Sequence, residues 1–78
     1  MRPLKLSFVV PVKNEEQSLE ILYREIIEVV KKISSNCEII FIDDGSTDQT
    51  FEQLKRIHRR DRRVKVIRLR GNFGKSAA

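Results

Sequence analysis

From Leu4 to Val12 apolar positions first alternate with polar ones and then run together through Phe8-Val9-Val10-Pro11-Val12. That is the pattern of a strand buried on both faces toward its end, and Pro11, which lacks an N–H, marks its last pairing residues. Asn14 followed by Gln17 has the form of an N-cap with its capping-box partner, and Glu15 and Glu16 fall where the helix dipole favours carboxylates, so a helix is predicted to start there. Leu19, Leu22, Ile26, Val29 or Val30, and Ile33 continue it at three- and four-residue spacing, with Lys31 and Lys32 in the last turn and an end near Ser34-Ser35-Asn36. Glu38 to Asp43 encloses four strand-prone apolar residues with no polar face, which predicts a central parallel strand. Ser46 with Gln49 repeats the capping-box form, and Phe51, Leu54 and Ile57 supply the stripe of a second helix to about Arg60. In Val64–Leu69, Val64 and Val66 share one face while Lys65, Ile67 and Leu69 share the other, as in a partly wet strand nearer a sheet edge. Gly71-Asn72-Phe73-Gly74 reads as a turn, and Lys75 opens a further helix.

The order strand, helix, strand, helix, strand and helix start, joined by right-handed crossovers, predicts an α/β protein: a three-layer open sheet of parallel strands with flanking helices. In such sheets ligands bind outside the carboxyl ends of the strands. The residues at those ends are Pro11 to Glu15, Asp43 to Ser46, and Arg70 to Lys75. The unusual chemistry therefore gathers on one predicted rim.

With 78 residues the chain makes at most one small domain, and 40% hydrophobic against 35% charged residues permits a thin core. Cys37 is the single cysteine, so an intramolecular disulfide is excluded and a reducing compartment is favoured. No apolar run approaches the ~18–20 residues of a membrane span, and Asn14-Glu15-Glu16 interrupts any signal-peptide pattern. The net charge of +5 conceals a division: residues 1–50 carry six Lys/Arg against nine Asp/Glu, whereas residues 51–78 carry ten against two. The basic last third calls for an anionic partner.

Adjacent carboxylates at a buried strand end, Asp43 and Asp44, are the most specific feature, because they can accept hydrogen bonds from a base N–H or a ribose hydroxyl. Receiver domains place such a pair after the first strand; here the first strand ends in Pro11-Val12-Lys13-Asn14-Glu15. Gly74-Lys75-Ser76 resembles the tail of a phosphate loop, but the glycine required five residues earlier is Leu69, so an ATPase loop is rejected. A helix N-terminus with Lys75 still suits an anion. His58 reads as a surface residue and Cys37 as a small buried apolar one. The basic stretch 55–70 defines the alternative reading, a non-catalytic anion-binding module for nucleic acid or acidic membrane, though interleaved aromatic platforms for nucleic acid are missing.

Three ordered segments, Val9-Val-Pro-Val-Lys-Asn-Glu-Glu16, Ile40-Phe-Ile-Asp-Asp-Gly-Ser-Thr-Asp-Gln-Thr50 and Arg70-Gly-Asn-Phe-Gly-Lys-Ser-Ala-Ala78, together resemble the N-terminal part of a family 2, GT-A fold glycosyltransferase. The nearest branch is the dolichyl- and undecaprenyl-phosphate sugar transferases. The resemblance implies the N-terminal half of a GT-A fold, Rossmann-like and of the nucleotide-diphospho-sugar transferase kind, with residues 1–78 a single truncated nucleotide-binding portion. It implies that Pro11, Lys13, Asn14 and Glu15 surround the base and ribose, that Asp43 and Asp44 hydrogen-bond the base, and that Gly45 and Ser46 belong to the nucleotide-binding residues. Asn72, Gly74 and Lys75 would close the site. It further implies a hexosyltransferase type of enzyme, with inverting transfer from a UDP- or GDP-sugar to an acceptor, polyprenyl phosphate in this branch. The site would lie at the inner, cytoplasmic face of the membrane. Mg2+ or Mn2+ would support the leaving diphosphate. The family's Asp-x-Asp, catalytic base and acceptor site lie later in the chain, so no catalytic residue and no metal ligand is expected here and the fragment alone is expected to be inactive. A sheet cut after its third strand also suggests a homo-oligomer.

Overall fold

The computed structural model describes residues 6–33 and 36–69. Within them run strand β1 (Leu6–Val12), helix α1 (Leu19–Ile33), strand β2 (Cys37–Asp44), helix α2 (Thr50–Arg60) and strand β3 (Val64–Leu69). The strand start at Leu4, the 71–74 turn and the helix opening at Lys75 lie outside the described residues.

The three strands form one parallel sheet in the order β1-β2-β3, with β2 in the centre. Its register aligns Phe8, Ile39 and Val64, then Val10, Phe41 and Val66, then Val12, Asp43 and Arg68. Two right-handed crossovers running in the same direction carry both helices to one face of the sheet. The core agrees: Ile39, Phe41 and Val64 are buried with Leu19 and Val30 of α1 and Leu54 and Ile57 of α2. Cys37 lies at its lower end, a small buried apolar residue as the sequence suggests.

The fold class thus stands as a parallel α/β sheet with flanking helices, of which the described residues supply the sheet and the layer on one face. The other face carries Val9, Pro11, Ile40, Ile42, Ile67 and Leu69 by strand alternation. Val9 is 58% exposed and Leu69 46%. The expectation that β1 is buried on both faces toward its end is therefore corrected. Its apolar run is continuous, but among the described residues only one face is covered.

Both predicted helix starts are also corrected, for one reason. Asn14 does not cap α1: its φ is +52°, in the left-handed region that Asn tolerates better than most residues, and its side chain is used elsewhere. The chain makes a turn in which the Ser18 and Leu19 N–H groups donate to the Glu15 carbonyl, and α1 begins at Leu19. Ser46 does not cap α2 either. The N-cap position is Gln49, whose side chain makes no capping bond; α2 begins at Thr50, whose N–H donates instead to Asp48 Oδ1 at 2.9 Å, one residue ahead of the cap. In both loops the short polar side chain found a partner on the other loop instead of on its own helix.

Candidate functional site

The carboxyl ends of β1 and β2 adjoin, and the loops that leave them are joined by a set of reciprocal hydrogen bonds. Asn14 N–H donates to Ser46 Oγ at 2.8 Å, and Thr47 N–H returns a bond to Asn14 Oδ1 at 2.9 Å. Glu15 N–H donates to Thr50 Oγ1 at 2.7 Å. Glu16 N–H donates to Asp48 Oδ2 at 3.3 Å, while Gln49 N–H donates to Glu16 Oε1 and Gln53 Nε2 to the Glu16 carbonyl. Apart from Gln53 Nε2 these are backbone donors that no helix or sheet ladder serves, so the two loops satisfy one another. Asp48 collects enough of this that its carboxyl sits below the ordinary range. Partial desolvation pulls it upward, but hydrogen bonds from Thr50 and Glu16 outweigh that.

This latch divides the residues that the sequence singled out. Asn14 and Ser46 are placed together, with their polar groups turned toward each other. Glu15 spends its backbone N–H on Thr50 and its carboxylate on the Ser18 hydroxyl. Gly45 has φ +76°, which lets the chain turn sharply between Asp44 and Ser46. Asp48, Thr50, Glu16 and Gln53 complete the latch without having been singled out. Their spacing to Asn14 across the sheet carries no local sequence signal, although an Asp two residues before a helix can be read as the acceptor for its first N–H.

The two carboxylates differ sharply. Asp43 continues the inward row Cys37, Ile39, Phe41 and is 0% exposed; its Oδ1 accepts the Ser46 N–H at 3.0 Å. Its Oδ2 has no hydrogen-bond partner, and Arg68 Nε stands 3.9 Å from it. Asp44 lies on the opposite side of the strand and is exposed, in the alternation set that holds Pro11 and Ile42. An acceptor oxygen beside apolar surface suits a flat heterocycle that presents an N–H edge. Lys13 is exposed at the end of β1. Asn72, Gly74 and Lys75 lie outside the described residues.

An open hollow of about 370 Å³ lies beside the latch, lined by Asn14, Glu15, Glu16, Gln17, Ser18 and Asp48. Three carboxylates make it a poor seat for an anion. Among the described residues, no three His, Cys, Asp or Glu side chains are grouped so as to hold a metal ion.

The basic surface is divided as well. Lys55 pairs with Glu52, Arg60 with Glu20 and Arg63 with Asp61, while Arg56, Arg59 and Arg62 remain exposed. Lys65 aligns with Ile40 on the far face of the sheet, and Arg68 lies at the rim. His58 is exposed, with Nδ1 2.7 Å from the Val64 carbonyl. At the end of α2, Arg63 donates twice from its guanidinium to Asp61, and the Tyr23 hydroxyl donates to Asp61 at 2.6 Å. Burial tends to raise the Asp61 carboxyl, but these bonds hold it down to about 2. Burial first, and then the Asp61 bond and charge, push the Tyr23 hydroxyl up to about 12.

A parallel α/β sheet whose carboxyl rim bears a latched pair of loops and an acidic turn defines a Rossmann-like class of domain. Residues 7–78 match the sequence model described as Glycosyl transferase family 2, and the chain belongs to that family. It is 40% identical over 75 residues to an uncharacterized glycosyltransferase of Synechocystis sp., covering 96% of this chain and 24% of that protein. It is 35% identical over 79 residues to the dodecaprenyl-phosphate galacturonate synthase of Rhizobium johnstonii, covering 100% of this chain and 23% of that one. An undecaprenyl-phosphate 4-deoxy-4-formamido-L-arabinose transferase of Photorhabdus laumondii is 33% identical over 75 residues, with 95% and 23% covered. The chain thus spans about a quarter of the length of these relatives. Among the described residues, no helix is long and apolar enough to cross a membrane.

Proposed function

We propose that this chain holds the nucleoside end of a nucleotide-sugar donor, UDP- or GDP-linked, for transfer of the sugar to polyprenyl phosphate. The observation that carries the reading is the exposed Asp44 carboxylate beside Pro11 and Ile42, on a rim braced by the Asn14–Ser46 latch. Asp44 accepts an N–H of the base, the apolar surface takes its flat face, and Lys13 lies within the same rim to meet negative charge. Asp43, Gly45 and Ser46 shape the turn that presents Asp44, and Asn14 and Glu15 hold the facing loop. Relatives whose names specify dodecaprenyl- and undecaprenyl-phosphate substrates support the acceptor class.

In the whole enzyme the acceptor's phosphate oxygen attacks the anomeric carbon as the bond to the nucleoside diphosphate breaks, so the configuration inverts. Negative charge grows on the departing diphosphate, and a divalent cation is proposed to stabilise it from residues outside this chain. By itself the chain binds nucleotide without turnover, and its place in the whole enzyme is at the cytoplasmic face of the membrane.

Titration of isotope-labelled protein with UDP and with GDP tests this. The expected result is movement of the Lys13, Asp44 and Gly45 amide resonances. Changes restricted to α1 and the end of α2 would sink the reading.

A further inference from the structure

We propose that Arg68 is a positioning residue for this rim, acting through the buried Asp43 carboxylate on the two loops that border the donor site. The inference rests on the donor-site reading for its functional consequence, but its structural content stands apart from it.

A carboxylate taken wholly out of water needs hydrogen bonds and counter-charge. Asp43 has one of each: Ser46 N–H on Oδ1, and Arg68 facing Oδ2 at 3.9 Å. That distance is too long for a hydrogen bond, so the guanidinium acts through its charge. Register explains the meeting, because Asp43 and Arg68 are paired positions of β2 and β3 whose side chains leave the same face. Arg68 is itself half exposed, and a free arginine there would swing in solvent. It is held by Phe51 of α2, whose ring lies 4.3 Å from the guanidinium carbon.

The links continue beyond Asp43. Ser46 donates its N–H to Asp43 and accepts the Asn14 N–H on its hydroxyl. A contiguous path therefore runs from the third strand, through the turn after the second, to the loop after the first. Without the guanidinium, no cation among the described residues faces the buried carboxylate, and the turn that carries both Ser46 and Asp44 must shift or admit water. Among the described residues Arg68 makes no hydrogen bond or ion pair to either loop, so its effect on them passes through Asp43. Among the described residues, no other ion pair reaches that carboxylate from α2 or β3.

The test compares the wild-type chain with R68Q, R68K and F51L by amide hydrogen exchange, supplemented by UDP and GDP titrations and thermal unfolding. The expected result for R68Q is faster exchange of the Ser46 and Asn14 amides and about tenfold weaker nucleotide binding, the scale on which loss of a supporting group acts. R68K, which restores the charge, should recover most of both, and F51L, which removes only the platform, should fall between. If R68Q does not fold, F51L carries the same comparison. Unchanged Ser46 and Asn14 exchange in R68Q and F51L would overturn the proposal. So would equal damage in R68Q and R68K. A wild-type chain indifferent to both nucleotides would defeat the donor-site reading instead, while the exchange data still decide the role of Arg68.

Discussion

Asn14 and Thr47 meet across 33 residues of sequence: the Thr47 N–H donates to Asn14 Oδ1 at 2.9 Å while Asn14 holds a left-handed φ of +52°. The side chain replaces a backbone acceptor that the loop after β2 lacks, and the backbone conformation aims it there. Two substitutions separate these contributions. N14G keeps the backbone conformation accessible and loses the side-chain bond, for an expected cost of about 1 kcal/mol. N14A loses the bond and adds the left-handed penalty of a residue with a Cβ, for roughly 2–3 kcal/mol. Urea unfolding measures both, and equal costs would show that the backbone conformation contributes nothing.

Thr50 is 0% exposed and its hydroxyl receives the Glu15 N–H. T50V keeps the shape and removes the acceptor, leaving a backbone donor unpaired at an expected cost of about 1–3 kcal/mol. T50S should retain most of the stability. The same unfolding assay decides, and a neutral T50V would mean that water replaces the hydroxyl.

Asp43 and Asp44 should respond oppositely. D44A removes an exposed acceptor, so stability should change by less than ~0.5 kcal/mol, whereas nucleotide binding should weaken by roughly 1–3 kcal/mol. D43A strips the buried turn of the acceptor for Ser46 and should destabilise the fold by about 1–3 kcal/mol before any binding is considered. Calorimetry on both variants checks the pair. Loss of nucleotide binding in neither would remove the acidic turn from the site.

Acid stability should depend on Asp61. Its folded pKa, about 2, lies below the ordinary value of 3.8, so the folded state binds the proton less well than the unfolded chain. The associated stability is present above pH 3.8 and is lost as pH falls from there toward about 2. Allowing for solvent screening it is worth about 1–2 kcal/mol. D61N should be less stable than wild type at neutral pH and show a flatter stability profile between those values. Tyr23 has the opposite sign: its raised pKa contributes stability that is lost as pH climbs from 10 to about 12. Unfolding midpoints measured across pH test both limbs, and a D61N profile as steep as that of wild type would exclude the Asp61 network.

Periodicity made the five elements and their order legible, because an apolar row in a strand or helix is a local property: Cys37, Ile39 and Phe41 alternate whether or not a partner is known. The adjacent carboxylates at the end of β2 and the basic last third were equally plain. Helix starts were misread because Asn14 and Ser46 carry the correct chemistry for a cap and a better partner was available on the facing loop. No window of sequence contains that competition.

The sequence by itself determined a parallel β-α-β-α-β order, the rim on which the polar residues gather, and the family, since short-range spacing and identity suffice for each. Only the tertiary structure decided what those residues do. Register turned Asp43 inward against Arg68 and left Asp44 exposed, although the two are chemically identical neighbours, because successive strand side chains point to opposite faces. The crossovers put both helices on one face, and packing between the loops, not adjacency in the chain, selected which polar groups are spent on each other and which remain exposed.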